Sequence, residues 1–284
     1  MSPPLPKVLS VTRVDLHLHL LPGVDDGAPD EATAVAHAAR MVADGVREAT
    51  VTPHVGSPQF DVEPDEIHER CAALQRTLDQ EGLDLQLHPG GEVHPAGAGD
   101  LTAAELDVIA HGPAGARWVL AEVPFAGIDD VFLDGVSTIA GRGFGVVIAH
   151  PERAVGLLDD GLARLGPALE AGAVLQVNAC SLMGRQGPEA LEAARHLIRA
   201  RLAYLIASDG HPGHRDHTLA DGEPAAASVG ASRAQIVQLT RANPRFLLHH
   251  GLPRIDAPLP TRLGLGRVAL GQARDAARRL DAAA

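Results

Sequence analysis

The chain has 284 residues, 45% of them hydrophobic, and a formal charge of −12 at pH 7, enough apolar material for one large domain, two small ones or a single α/β barrel. That acidity argues against a nucleic-acid footprint or a polybasic membrane surface. No run approaches 18 apolar residues and "MSPPLPKVLS" is too short in apolar length for a signal peptide, so a cytoplasmic protein without stable membrane insertion is expected.

Along the chain, short β-branched apolar runs alternate with longer helical patterns, the signature of repeated βα units on a parallel sheet. Seven strands are expected: "VTRVDLHLH" (11–19), "REATVTPH" (47–54), "LDLQLHPGGEV" (83–93), "RWVLAEVP" (117–124), "FGVVIAHPER" (144–153), "AVLQVNA" (173–179) and "AYLIASDGH" (203–211). Between them, "APDEATAVAHAARMVADG" carries Pro29, Asp30 and Glu31 at a helix start, Val35, Ala38 and Val42 at helical spacing, and Gly45 as a stop. "EPDEIHERCAALQRTLDQEG" places Ile67, Cys71, Leu74 and Leu78 on one face, "LTAAELDVIAHG" has capping-box spacing from Thr102 to Glu105, and "GPEALEAARHLIRARL" is a further amphipathic helix. From these, residues 1–251 are expected to form one barrel and 252–284 an appended tail with a basic helix.

Nearly every expected strand finishes on a metal-capable side chain: His17 and His19, His54, Glu92, Glu122, His150, then Asp209 and His211. In a βα barrel all strand C-terminal ends open on one face, so residues scattered over the chain would converge there. The period of two turns His17 and His19 to the same side. Burying several ionisable groups at one edge costs several kcal/mol each without a compensating charge. The set is nitrogen and oxygen without sulfur. It suits manganese, iron or zinc, its carboxylate share favours Mn2+, and its size implies two or three ions. The remaining histidines are given bland roles: His37, His68, His111, His196, His249 and His250 as solvated or satisfied side chains, and His88, His94, His214 and His217 as neighbours of the site.

Other chemistries lack their residues. The single lysine, Lys7, precedes the first strand, so an amidohydrolase centre bridged by a carbamylated lysine has no lysine to use. Two cysteines, Cys71 and Cys180, cannot build a disulfide framework or a thiolate zinc site. "CSLMGR" places Arg185 one position too close to Cys180 for a cysteine-phosphatase loop, and "GRGFG" precedes a strand, so it is no dinucleotide fingerprint.

With "DLHLHLLPGVDDGA", "VTPH", "GGEV", "AEVP", "IAHPER", "CSLMGRQG" and "ASDGH" in this order over roughly residues 13–250, the sequence resembles the PHP (polymerase and histidinol phosphatase) superfamily. Within it, the chain is most similar to the manganese-dependent protein-tyrosine phosphatases of the bacterial capsule and exopolysaccharide type, the CpsB/YwqE family. The resemblance implies a distorted (β/α)7 TIM-like barrel and a metal-dependent phosphomonoesterase acting on phosphotyrosine of a bacterial tyrosine kinase or polysaccharide co-polymerase. It implies one ion on His17, His19, Glu92 and Asp209, a second shared by Glu92 with Glu122 and His150, and a third on Asp26, His54 and His211. Arg153 of "HPER" would grip the phosphate. The sequence departs from the family's pattern at Val55, where a second histidine is frequent, and at Arg215, one position early; the tail has no counterpart. A PHP phosphatase for a small molecule, histidinol phosphate or a nucleotide, is the alternative enzyme, and a metal-stabilised barrel acting as a regulatory partner of a tyrosine kinase or of a polysaccharide operon the non-enzymatic reading.

Overall fold

The computed structural model describes residues 12–252; the expected basic helix of the tail lies outside them. Among the described residues, nine strands and the helices that follow most of them form an α/β arrangement, all named strands pairing in parallel. β1 (Arg13–Leu18), β2 (Val46–Val51) and β4 (Gln86–Pro89) form one sheet in the order β1-β2-β4. The second runs β3 (His54–Val55), β5 (Glu92–Val93), β6 (Trp118–Glu122), β7 (Gly145–Ala149), β8 (Val174–Asn178), β9 (Ala203–Ala207).

Two of the seven expected strands are therefore each broken in two, at a proline both times. Pro53 has no N–H to give to a ladder; around it Thr52 N donates to Leu18 O at 2.8 Å, while Pro53 O accepts from Glu92 N at 3.0 Å. The second break, Pro89-Gly90-Gly91, lets the backbone press on His111, whose Nε2 would lie 2.1 Å from a Cβ at Gly90. Past the end of β9 the chain bonds back to β1: Asp209 N donates to His17 O at 2.9 Å and His19 N to Gly210 O at 3.0 Å.

The helices form where their start signals stand. α1 (Glu31–Ala43) is capped by Asp30, which accepts from Thr33 N at 2.8 Å, and α2 (Pro64–Gln80) buries Ile67, Cys71, Leu74 and Leu78 as the spacing requires. In α3 (Ala103–Ile109) the capping box closes in both directions, Thr102 Oγ1 accepting from Glu105 N and Thr102 N donating to Glu105. α4 (Asp130–Gly141) follows β6 and is capped by Asp129. One face differs from expectation: α1 buries Ala34, His37, Ala38 and Met41, while Val35 and Val42 are only partly buried. His37 lies three residues after Ala34 and four before Met41, on the inward stripe, so it is a core side chain rather than a solvated one.

An apolar cluster joins Val14 and Leu16 of β1 with Trp118, Leu120, Val147, Ala149 and Leu205, and Leu247 and Leu248 of the last described helix, Asn243–His250, pack against it. Trp118 Nε1 donates to Leu247 O at 3.0 Å, giving the buried indole its partner. His111 is also buried, its ring 4.7 Å from that of Trp118, and burial pulls its pKa down to about 3 from 6.5. The unfolded chain takes up this proton below pH 6.5 and the native chain does not until about pH 3. Stability is therefore complete above pH 6.5 and falls as pH drops toward 3. We expect His111→Leu to remove part of that decline, on the order of 1–2 kcal/mol between pH 7 and 5, measured as the pH dependence of the urea midpoint.

Candidate metal centre

The strand arrangement brings the ends of β1, β3, β5, β6 and β7, with the segment after β9, to one place. His17 Nε2 and His19 Nε2 lie 3.2 Å apart. Each ring is held from behind: His17 Nδ1 by Gln176 Oε1 at 3.0 Å and His19 Nδ1 by Asp25 Oδ2 at 2.7 Å. An acceptor on each Nδ1 satisfies that side of the ring and turns both Nε2 atoms into the cluster as ligand positions. Glu92 Oε2 stands 3.2 and 3.3 Å from these two nitrogens, and Asp209 Oδ1 3.5 and 3.6 Å from them. Two imidazole nitrogens and two carboxylate oxygens converging at these distances make a donor set suited to a divalent cation.

Around this core stand the other expected side chains. Glu92 Oε1 is 2.9 Å from His150 Nε2, and His54 Nδ1 faces Glu92 Oε2 at 3.3 Å and Glu122 Oε2 at 3.8 Å. His211 Nε2 and His54 Nε2 approach Asp26 Oδ1 at 3.2 and 3.5 Å, and the His19 and His211 rings stack at 4.0 Å. Three overlapping groups have ligand atoms close enough to share an ion: His19, Asp26, His54 and His211; His17, His19 and Glu92; and His54, Glu92 and Glu122. Buried Glu92 Oε2, His54 Nδ1 and His150 Nδ1 have no hydrogen-bond partner, so the protein leaves donor capacity there that a cation would use.

The electrostatics point the same way. Burial, then the charge of nearby Glu92, pushes the Glu122 carboxyl up to about 8. Against the cost of burial, Glu92 and Asp209 hold His17 above its ordinary value, and Asp25 and Glu92 hold His19 well above. These three groups hold their protons more tightly than free ones, whereas burial lowers His150, to about 4, and His211. Backbone strain collects here too: His150 (φ +32°) and Asp209 (φ +50°) both take the left-handed conformation that side chains other than glycine rarely adopt.

A cleft of about 450 Å³ opens above the cluster, lined among others by Phe60, His94, Phe125, Val131, Arg153 and Arg215. Arg153 Nη1 donates to Asp209 Oδ2 at 3.2 Å, and its guanidinium carbon sits 4.1 Å over the Phe125 ring. Arg215 directs Nη2 at Asp209 Oδ1, 3.4 Å, and at the His211 ring. Cys180 is fully buried and its thiol is pushed up to about 11 by burial and by the charge of Asp209, the wrong direction for a thiolate nucleophile.

Three contributors escape a search for metal-capable strand ends. Asp25 orients His19 and also accepts from His54 N at 3.0 Å. Gln176 fixes His17, and Asn178 Nδ2 donates to Asp209 Oδ2 at 2.6 Å. The last two come from β8, the strand that ends without a ligand, and their signal was two amides at period two in a fully buried "LQVN". His88 departs from the expectation that placed it beside the site: it faces Glu48 at 3.6 Å and the ring of His249 at 6.4 Å.

Gly27 closes the turn that carries both aspartates. A Cβ there would lie 2.2 Å from His19 O and 2.6 Å from His19 Cβ. Gly27→Ala should cost about 1–3 kcal/mol and weaken metal uptake by displacing His19; thermal unfolding with and without added Mn2+ measures both.

Fold and cluster together define a parallel α/β protein with a histidine–carboxylate centre, able to hold divalent ions, at the ends of its strands. A family model for capsular polysaccharide synthesis, CpsB/CapC, matches residues 13–249, and the chain belongs to that family. It is similar to the tyrosine-protein phosphatase YwqE of Bacillus subtilis (strain 168), 30% identical over 202 residues covering 70% of this chain and 77% of that one. A solved structure from work on YwqE of Bacillus subtilis and CpsB of Streptococcus pneumoniae, described as unique metal-dependent tyrosine phosphatases, superposes with TM-score 0.72 at 26% identity, over 87% of this chain and 99% of that one. The phosphotriesterase homology protein of Escherichia coli shares the fold at 15% identity and TM-score 0.53, covering 82% and 97% of the two chains. Among the described residues, no helix is long and apolar enough to cross a membrane.

Proposed function

We propose that this chain is a cytoplasmic metal-dependent phosphatase that removes phosphate from phosphotyrosine in a protein, its partner being a bacterial tyrosine kinase or polysaccharide co-polymerase. The observation that carries the reading is the pair of imidazole nitrogens 3.2 Å apart with both rings' other nitrogens already satisfied, beside a cleft bearing two arginines. His17, His19, Glu92 and Asp209 would hold one ion, Glu92, Glu122 and His150 a second, and Asp26, His54 and His211 a third, Mn2+ being favoured by the carboxylate share. The bonds from the end of β9 back to β1 support closure of the strands of residues 1–251 into a distorted (β/α)7 barrel.

Bound divalent ions would supply Lewis acidity, neutralising phosphoryl charge and lowering the pKa of water from 15.7 toward about 7. The chain's own contribution is orientation and charge. Asp25 and Gln176 fix the tautomers of His19 and His17, and Asn178 turns Asp209. Arg153, stacked on Phe125 and anchored to Asp209, presents its remaining donors to the equatorial phosphoryl oxygens, where charge develops. Arg215 stands on the opposite flank of Asp209 as a second cation. A tyrosyl leaving group, with a pKa near 10, departs with little help from an acid.

A substrate panel tests this reading. Phosphotyrosine peptide should be hydrolysed with kcat/KM at least tenfold above histidinol phosphate and a nucleoside monophosphate, and Cys180→Ser should keep that activity. A preference for either small molecule would replace the protein substrate, and loss of activity in Cys180→Ser would put the thiol in the mechanism.

A further inference from the structure

The cleft's rim carries a feature that metal chemistry leaves unexplained. Among the described residues, the exposed large hydrophobic side chains are Phe125, Val131 and Val155, at 44%, 63% and 59% exposure. Apolar side chains scattered singly over a surface are ordinary, but these three gather beside one cleft. Phe125 and Val131 line it, and Val155 N donates to Phe125 O at 3.0 Å. They come from three places in the chain: the loop after β6, the first turn of α4, and the segment following "HPER". Their meeting is a product of the fold. One of them is tied to the phosphate-directed machinery, since Phe125 stacks on Arg153.

Resting on the phosphatase reading, we infer that Phe125, Val131 and Val155 form a ledge that receives the substrate polypeptide, through apolar side chains flanking the phosphotyrosine. A phosphoryl group held between Arg153 and Arg215 directs its aryl ring outward past Phe125. Residues on either side of the tyrosine in an extended chain advance about 3.3 Å each, so their side chains arrive at the rim and not in the metal cluster. The surroundings of the ledge choose the occupant's chemistry: Asp129 lines the cleft and disfavours an acidic neighbour, Asp130 beside Val131 being paired with Arg164, while an apolar neighbour buries area against the valines. The ledge therefore favours a protein chain over a free aryl phosphate or small polar phosphomonoester, neither of which reaches it.

The experiment uses the full-length protein loaded with Mn2+ and two peptides differing only in leucine or serine on both sides of the central residue. Each is made once with phosphotyrosine for kinetics and once with a non-hydrolysable phosphonomethyl-phenylalanine for calorimetry. The leucine peptide should bind about tenfold tighter than the serine peptide, the gain from burying apolar side chains, and should show the difference in KM rather than kcat. In Val131→Ser/Val155→Ser, both positions already being exposed, the preference should fall to about twofold or less. Equal binding and equal hydrolysis of the two peptides would overturn the ledge and leave the phosphatase reading standing. A tenfold binding preference lost in the double variant, with neither phosphopeptide hydrolysed, would support the ledge and overturn the phosphatase reading.

Discussion

Glu92→Gln is expected to lower phosphotyrosine hydrolysis by about 10³-fold or more and to strip bound divalent metal from the purified protein. The reason is the position of one carboxylate. Its two oxygens lie within 3.3 Å of ring nitrogens of His17, His19, His54 and His150, so it is the negative charge shared by four imidazoles from three strands or strand ends. Although burial alone would raise its pKa, His17 and the hydrogen bonds from its imidazole neighbours hold Glu92 well below the usual carboxylate range, so it is present as an anion. Glutamine keeps the shape, removes the charge and turns two N–H donors toward lone pairs that need a cation. Elemental analysis beside kcat/KM checks this; metal content and activity both within tenfold of the parent would remove Glu92 from the centre.

Arg153→Ala should separate charge stabilisation from metal binding. We expect kcat to fall on the order of 10²–10³-fold, the loss seen when a donor to developing charge is deleted, while metal content stays at the parent level. Arg153 is bound at one nitrogen to Asp209 and stacked on Phe125, which leaves the rest of its planar fork toward the cleft. A parallel loss of metal and turnover would make it a structural support of Asp209 instead. Arg153→Lys should recover little, because an ammonium keeps the charge and loses both the stacking plane and the fork.

Much of the centre was legible before any coordinates because its residues obey two simple rules. Side chains at period two in β1 must face one way, and parallel strands must end together, so His17, His19, Glu92, His150 and Asp209 could be gathered from segments far apart in the chain. The supporting residues were harder to see. Gln176 and Asn178 neither titrate nor ligate strongly, so β8 looked like the strand without a role, although its amides orient His17 and Asp209. Asp25 and Asp26 are adjacent and chemically identical; the turn that sends one behind His19 and the other toward His54 and His211 depends on Gly27 packing against the His19 backbone, a contact no periodicity reports. The breaks at Pro53 and Pro89 were hidden because a proline at the end of an apolar run reads equally as a strand end or a strand bend. His37 and His111, expected as solvated or satisfied side chains, are buried: a neutral imidazole is small and apolar enough for the core once its pKa is depressed, to about 4 and about 3 here, by burial first of all.

The ledge of Phe125, Val131 and Val155 was not visible in the chain at all, since each residue taken alone belongs to an unremarkable apolar run. Its meaning depends on the fold placing them beside Arg153, and on the centre below being a metal centre.

The most direct measurement of that centre is the divalent metal content of the purified protein, followed by phosphotyrosine hydrolysis before chelation, after it, and after adding back Mn2+. Two to three ions per chain, activity abolished by the chelator and restored by Mn2+ are the predicted results. Protein that holds no divalent ion, or that hydrolyses phosphotyrosine undiminished in excess chelator, would contradict the account.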